Sequence, residues 1–416
     1  MVTPNAQNLC RACKRGWMLL LTGLLVGCAS SAPAPKQKSA AFWPPYPDEP
    51  RIQYLTSFKA STDVEPAKSQ LDELVMGKEP QETMGLQKPY GIEMYQGKIY
   101  VCDLRNGAVT VLDLRNHRTL VLGRSGSDTL LRPTDIAISD DGLKYVADQD
   151  RGLVYVFDAQ ERLFGKIGHK DLKPVGVAVW QDELYVCDFQ GKRIEVFNRK
   201  SGKFLRFVGE SGPGDGQFLF PLGIAVDVQG NLYVTDVLKC TMQKFGHDGK
   251  LSSTFGVISA NAGGFVRPKH IAVDRTGTIF VVDAAFQNVQ LFNQIGRVYT
   301  YFGSSGSHPG NMNLPVGICV HEGDIDLFQS YIHPAFEAER LILVTNQFGD
   351  SKVAVYAMGH LRAGKTVADI AAAKDVVPMG ISDPSKSPTG LPTPTTLSDD
   401  LTAPGPTTLP VNPDRK

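Results

Sequence analysis

The stretch Pro221-Leu-Gly-Ile-Ala-Val-Asp227, continued by Gly230-Asn-Leu-Tyr-Val-Thr-Asp236, Thr241-Met-Gln-Lys-Phe245 and Lys250-Leu-Ser-Ser-Thr-Phe255, decides the fold. It holds four short runs rich in β-branched and aromatic residues, punctuated by Gly and Asn, which read as successive strands joined by tight turns. The unit recurs five more times, opening on Pro89-Tyr-Gly-Ile92, Pro133-Thr-Asp-Ile136, Pro174-Val-Gly-Val177, Pro268-Lys-His-Ile271 and Pro315-Val-Gly-Ile318. With Pro221 included, the six prolines stand 44, 41, 47, 47 and 47 residues apart. Each second run ends on an acid or amide, at Asp103, Asp148, Asp188, Asp236, Asp283 and Asn346. A third landmark follows at Leu112, Phe157, Phe197, Phe245, Phe292 and Tyr356. Four strands per unit at a period of about 45 is the signature of a β-propeller blade.

These landmarks resemble the NHL repeat, whose pattern runs Pro-x-Gly-Ile-Ala-Val-Asp, then Gly-Asn-Leu-Tyr-Val-x-Asp, then Val-x-Val-Phe. The fourth and fifth copies match it closely; the first, third and sixth depart at the first turn. The resemblance covers roughly 86–359 and implies an all-β, six-bladed propeller occupying 51–360. Such a ring must close on itself to remove its open edge. The last copy supplies runs near 316–320, 340–346 and 352–358 and no fourth one. Arg51-Ile-Gln-Tyr-Leu-Thr-Ser-Phe58 resembles outer runs such as Gly296-Arg-Val-Tyr-Thr-Tyr-Phe302, so 51–58 is expected to close the ring.

The flanks carry other signals. Arg11, Lys14 and Arg15 precede an apolar run, Trp17 to Val26, that is too short to span a bilayer, which needs about 20 residues. A basic start, a short apolar core and small residues describe a secretory signal peptide over 1–27. The end of that run, Leu25-Val26-Gly27-Cys28, resembles the lipobox of bacterial lipoproteins. That resemblance implies acylation, palmitate included, at Cys28 and a lipid-anchored protein of the cell envelope. Ala29 in place of Asp would direct it to an outer membrane. Residues 28–50 read as a flexible tether. A short helix is expected near 66–76 and another over 361–377. The segment 378–416 holds nine prolines and seven threonines, a composition that cannot bury a core and reads as disordered.

Composition narrows the partners. Lys plus Arg and Asp plus Glu are both 43, so no basic field points to nucleic acid. Membrane attachment through lipid, together with other envelope proteins or an anionic ligand, is the expectation. Cys102, Cys187, Cys240 and Cys319 lie within strand patterns and read as buried apolar residues.

Candidate site residues emerge from aligning the innermost runs. The glycine position reads Gly91, Asp135, Gly176, Gly223, His270 and Gly317, so an acid and an imidazole occupy opposite blades. Two positions later the series is Glu93, Ala137, Ala178, Ala225, Ala272 and Cys319. Glu93, Asp135 and His270 therefore face one channel, either as a ligand site or as groups satisfied by backbone and water. Carboxylate and imidazole are also ligand types for Ca or Zn. Just before each proline stand Lys88, Arg132, Lys173, Phe220, Arg267 and Leu314; the four cations form a basic rim suited to an anion. The repeated Asp103, Asp148, Asp188, Asp236 and Asp283 read as structural turn residues. In the sixth copy, Gly317 to Leu343 spans 26 residues where three other copies need ten. The insertion carries Phe328, Tyr331, His333 and Phe336, which either contact a partner or cover the propeller's own core.

No nucleophile elbow, zinc-protease motif, P-loop or dinucleotide fingerprint occurs. The expected function is a lipid-anchored, extracytoplasmic interaction or ligand-binding scaffold without catalysis or cofactor. The alternative is a metal-assisted lactonase or lyase at the central channel, as found among six-bladed relatives.

Overall fold

The computed structural model describes residues 41–66, 83–124 and 129–371. The signal peptide, Cys28 and the tether up to 40 lie outside the described residues. So do nearly all of the helix expected near 66–76, the end of the one expected over 361–377, and the tail.

Six antiparallel sheets follow one another as blades. Blade one comprises Pro89–Tyr95, Lys98–Asp103, Ala108–Asp113 and Arg118–Leu122 from the axis outward. Blade four, the copy that decided the fold, comprises Pro221–Val226, Leu232–Asp236, Thr241–Phe245 and Leu251–Phe255. Blade six draws on both ends of the chain. Its inner three strands are Pro315–His321, Phe336–Asn346 and Val353–Leu361, and its fourth is Ile52–Phe58, paired from Ile52 opposite Met358 to Phe58 opposite Val353. The ring therefore closes where the sequence comparison placed the closing strand.

The tether reading of 28–50 is corrected at 41–43. Phe42–Trp43 adds a fifth strand outside Ile52–Phe58, with Phe42 opposite Gln53. Ala41, Phe42 and Trp43 are buried, and the Trp43 ring meets Phe302 and Tyr356 edge-on. Removing two aromatic side chains from water is worth several kcal/mol at about 25 cal/mol per Å². That gain holds a segment whose composition alone reads as linker. At the other end the last strand of blade six runs on to Leu361, and the short helix is confined to Val367–Ala371 among the described residues.

Among the described residues the core divides into six apolar clusters, one at each blade junction. The tyrosine of the second strand recurs in these clusters and carries a polar tip that must be satisfied. Tyr100 donates to Glu161 of blade two at 2.9 Å, and Tyr145 accepts from Arg199 of blade three at 3.2 Å. The acid ending the second strand ties each blade together. Asp236 accepts the backbone N–H groups of Leu219, Phe220, Leu238 and Lys239, joining the approach to the inner strand with the following turn. Asp103, Asp148 and Asp283 do the same in their blades, and Asn346 takes the N–H of Asn313. These acids are structural, as their spacing indicated.

Candidate functional site

Inner strands converge on the axis so closely that most of them cannot carry a side chain at the glycine position. A Cβ at Gly91 would lie 2.6 Å from the Asp135 Cα, and one at Gly223 would lie 2.7 Å from the His270 Cα. Asp135 and His270 themselves occupy this layer on blades two and five. Their side chains meet across the axis, with His270 Nδ1 3.5 Å from Asp135 Oδ1. The other carboxylate oxygen, Oδ2, accepts the Val177 N–H at 2.9 Å. The Tyr90 ring stands edge-on to the imidazole with centroids 5.6 Å apart.

Both groups are almost wholly buried, and burial sets their charge. It holds the His270 imidazole down at about 3, helped by the adjacent Lys269 ammonium. It raises the Asp135 carboxyl well above the usual carboxylate range, with Glu93 adding to the rise. Desolvation penalises the charged form of each, so burial favours the neutral imidazole and works against ionisation of the acid it meets. His270 Nε2 is buried without a hydrogen-bond partner among the described residues.

On the far side of this layer from the prolines lies a cavity of about 170 Å³, lined by Glu93, Asp135, His270, the four alanines of the inner ring and Cys319. It is comparable in size to an engineered cavity of about 150 Å³ that holds benzene. Glu93 retains some exposed surface, accepts the Met94 N–H at 3.1 Å and lies 2.9 Å from the Cys319 thiol of blade six. Burial raises both the Glu93 carboxyl and the Cys319 thiol. The three sequence-derived channel residues are thus brought to one cavity. Cys319, Tyr90 and Lys269 were missed as site neighbours. Cys319 stood in the aligned series as the one residue besides Glu93 that is not alanine, which was the available signal. Among the described residues no three His, Cys, Asp or Glu side chains gather as a set able to hold a metal ion. The carboxylate, imidazole and thiol groups there stand as two pairs, Asp135 with His270 and Glu93 with Cys319.

The basic rim lies elsewhere. None of Lys88, Arg132, Lys173 and Arg267 lines the cavity. They precede the prolines, whereas the cavity begins beyond the glycine layer and opens toward the opposite ends of the inner strands. All four are half-buried, and their backbone N–H groups donate to Asp103, Asp148, Asp188 and Asp283. Rim and cavity therefore face opposite ends of the inner strands.

Of the insertion's two readings, the structure favours the covering one. Residues Ile325–Tyr331 form a 3-10 helix, and Phe328 and Phe336 are buried in the cluster between blades six and one. Tyr331 is half-buried, and its carbonyl accepts from Gln53 Nε2 at 2.9 Å. The His333 N–H donates to Gln53 Oε1 at 3.0 Å, and its ring packs edge-on against Phe42. These aromatics close the flank of the ring and do not form an exposed contact surface.

A family model, DUF5128, described as a 6-bladed beta-propeller, matches residues 172–256, which correspond to blades three and four. No curated protein matches. Among solved structures the chain is similar to a protein of unknown function from Bacteroides thetaiotaomicron VPI-5482. That likeness has 15% identity and a TM-score of 0.53, over 74% of this chain and 75% of that one. It is also similar to a streptogramin B lyase (12% identity, TM-score 0.46, 66% of this chain, 94% of that one). A third likeness is to a gluconolactonase from Xanthomonas campestris (15% identity, TM-score 0.47, 65% and 86%). The first of these likenesses speaks to the fold alone, which the six sheets and the family model describe as a six-bladed β-propeller.

Proposed function

We propose that this chain is a non-catalytic recognition scaffold, anchored outside the cytoplasm through an acylated Cys28, that offers the rigid ends of a six-bladed propeller to a ligand or partner. The observation that carries this reading is the way the channel groups are used. Asp135 is held by the Val177 N–H and faces His270, while Glu93 is held by the Met94 N–H and the Cys319 thiol. A hydrolytic or lyase site needs an acid or base poised near neutral pH and reachable by substrate. Burial instead moves the His270 imidazole down to about 3, away from that range. The lactonase or lyase alternative also calls for a bound divalent ion, and the donor pairs at hand do not fit one.

The test is metal analysis of the full-length protein extracted from membranes and purified without chelator. Substoichiometric Ca and Zn is the expected result. A stoichiometric ion that disappears in Glu93→Gln, Asp135→Asn or His270→Ala protein would overturn the reading in favour of the metalloenzyme. Metabolic labelling with palmitate tests the anchor: label should be lost in Cys28→Ser.

A further inference from the structure

The two ends of the propeller differ in how their cations are neutralised. At the cavity end arginines meet carboxylates: Arg199 lies 2.9 Å from Asp141, Arg206 lies 2.5 Å from Glu183, and Arg340 pairs with Asp274. At the proline end Lys59 pairs with Asp350 and Arg193 with Glu195, but several other cations rest on neutral oxygens. Arg151 donates to the carbonyl and hydroxyl of Thr129, Lys239 to the carbonyls of Gly214 and Gln217, and Lys352 to those of Gln87 and Gln347. Lys173 and Arg267, in the innermost ring at this end, form no ion pair among the described residues, and Arg267 Nε is buried without an acceptor. The acids nearest this ring, the Asp103 to Asp283 series, are buried and spend their oxygens on backbone N–H groups. Exposed carboxylates such as Asp150 and Asp171 sit on the connecting turns. Lys173 and Arg267 thus stand near the axis without a carboxylate partner among the described residues, in a chain whose formal net charge is +0.

We propose that this end binds an acidic peptide segment of a partner protein, with Lys173 and Arg267 taking its carboxylates. The inference rests on the scaffold reading and names its partner class. Two features select a peptide over a lipid surface or a nucleic acid. The ring cations are half-buried, so a carboxylate on a side chain reaches them where a flat headgroup layer does not. Exposed apolar side chains, Leu131, Leu238, Ile258 and Phe348, lie on the loops of the same end, matching a segment that alternates acids with apolar residues.

The experiment uses the full-length protein and a fluorescein-labelled peptide of repeated Glu-Glu-Phe units, with a Gln-Gln-Phe peptide as control, read by fluorescence anisotropy. Binding of the acidic peptide only, falling as salt rises, is expected. In Lys173→Gln/Arg267→Gln protein the Kd should rise about tenfold and the salt dependence flatten. The backbone N–H bonds to Asp188 and Asp283 survive those changes, and an unchanged unfolding midpoint checks the fold. Lys203→Gln/Arg297→Gln, at the cavity end, should bind as the parent does. No binding of the acidic peptide overturns the proposal, as does binding that the ring variant leaves unchanged; neither touches the scaffold reading, which the metal analysis decides. Ring-dependent binding to phosphatidylglycerol vesicles in place of the peptide would overturn it in favour of lipid.

Discussion

Gly223 stands directly against His270: a Cβ at 223 would lie 2.7 Å from the His270 Cα and 2.6 Å from the Lys269 carbonyl oxygen. Half a turn around the ring Gly91 stands against Asp135 in the same way. Gly176 and Gly317 are closed off in turn by the carbonyls of Leu222 and Tyr90. Four of the six junctions are therefore too close for any side chain at this layer, and the remaining two hold the acid and the imidazole. The layer has a pseudo-twofold order, glycine, acid, glycine, glycine, imidazole, glycine, and the two side chains meet because the glycines let the strands approach.

This arrangement predicts a sharp contrast between glycines. Gly223→Ala must push the inner strand of blade five outward, and overpacking of that kind costs about 1–3 kcal/mol. At Gly165, on the outer strand of blade two, a Cβ would meet nothing within 4 Å. Gly165→Ala should be neutral or stabilising by about 0.5 kcal/mol, through the unfolded chain. Urea midpoints of the two variants check the pair; equal midpoints would show that the axis is slacker than the close contacts indicate.

The acid limb of the stability curve should separate Asp135 from His270. The folded imidazole is held at about 3 against 6.5 in the unfolded chain. As pH falls below 6.5 the unfolded state takes up a proton that the folded state refuses, so this residue makes stability drop on acidification until about pH 3. Asp135 acts with the opposite sign. Its folded pKa lies above 3.8, so the folded state protonates first and gains relative stability as pH falls toward 3.8. Removing the compensating group should steepen the loss: Asp135→Asn becomes more acid-labile between pH 6.5 and 4. His270→Gln should flatten or reverse it. Urea unfolding across that range is the measurement, and parallel curves for parent and both variants would sink the assignment of charge states.

The repeat was legible because each landmark answers a local demand. Proline opens the inner strand, where no ladder N–H is needed on the axis side; glycine permits close approach; the acid collects backbone N–H groups on its own blade. The closing strand was legible for the same reason, since 51–58 carries the side-chain pattern of an outer strand. Phe42 and Trp43 were not, because the sheet edge they pair with exists only once 52–58 has joined 353–358, some 300 positions away. The contact of Asp135 with His270 could be narrowed to opposite blades, yet whether opposite blades touch is set by the width of the ring. That rim and cavity face opposite ends follows only once the glycine layer is known to block the axis. The aromatics of the insertion have the same composition whether they cover a core or meet a partner, so only their burial distinguishes the two.

The acids that end the second strands should matter more than any exposed charge. Asp236→Ala would strand four backbone N–H groups, those of Leu219, Phe220, Leu238 and Lys239. With a cost of about 1–3 kcal/mol for a buried polar group left unsatisfied and partial rescue by water, a loss of about 3 kcal/mol is expected. Asp236→Asn keeps one acceptor oxygen, as Asn346 does naturally in blade six, and should lose about half as much. Thermal or urea unfolding reads both, and an alanine variant as stable as the asparagine one would contradict the capping role.

Phe328 tests whether the insertion belongs to the fold. The residue is 1% exposed and projects from the 3-10 helix Ile325–Tyr331 into the cluster shared by blades six and one. Asp324, at the start of that helix, accepts the Gly97 N–H at 2.8 Å and pairs with Arg115 of blade one, so the insertion is fastened to the neighbouring blade by polar contacts as well. Phe328→Ala should then cost about 3–5 kcal/mol, the range for an aromatic truncated in a packed core. Tyr331→Ala, half-buried and held through its backbone carbonyl, should cost less than half of that. Because the cluster joins the first and last blades, the loss should appear as a lower midpoint for the whole ring, with no separate early transition. A phenylalanine that can be removed with no change in the midpoint would return the insertion to the role of an exposed contact loop.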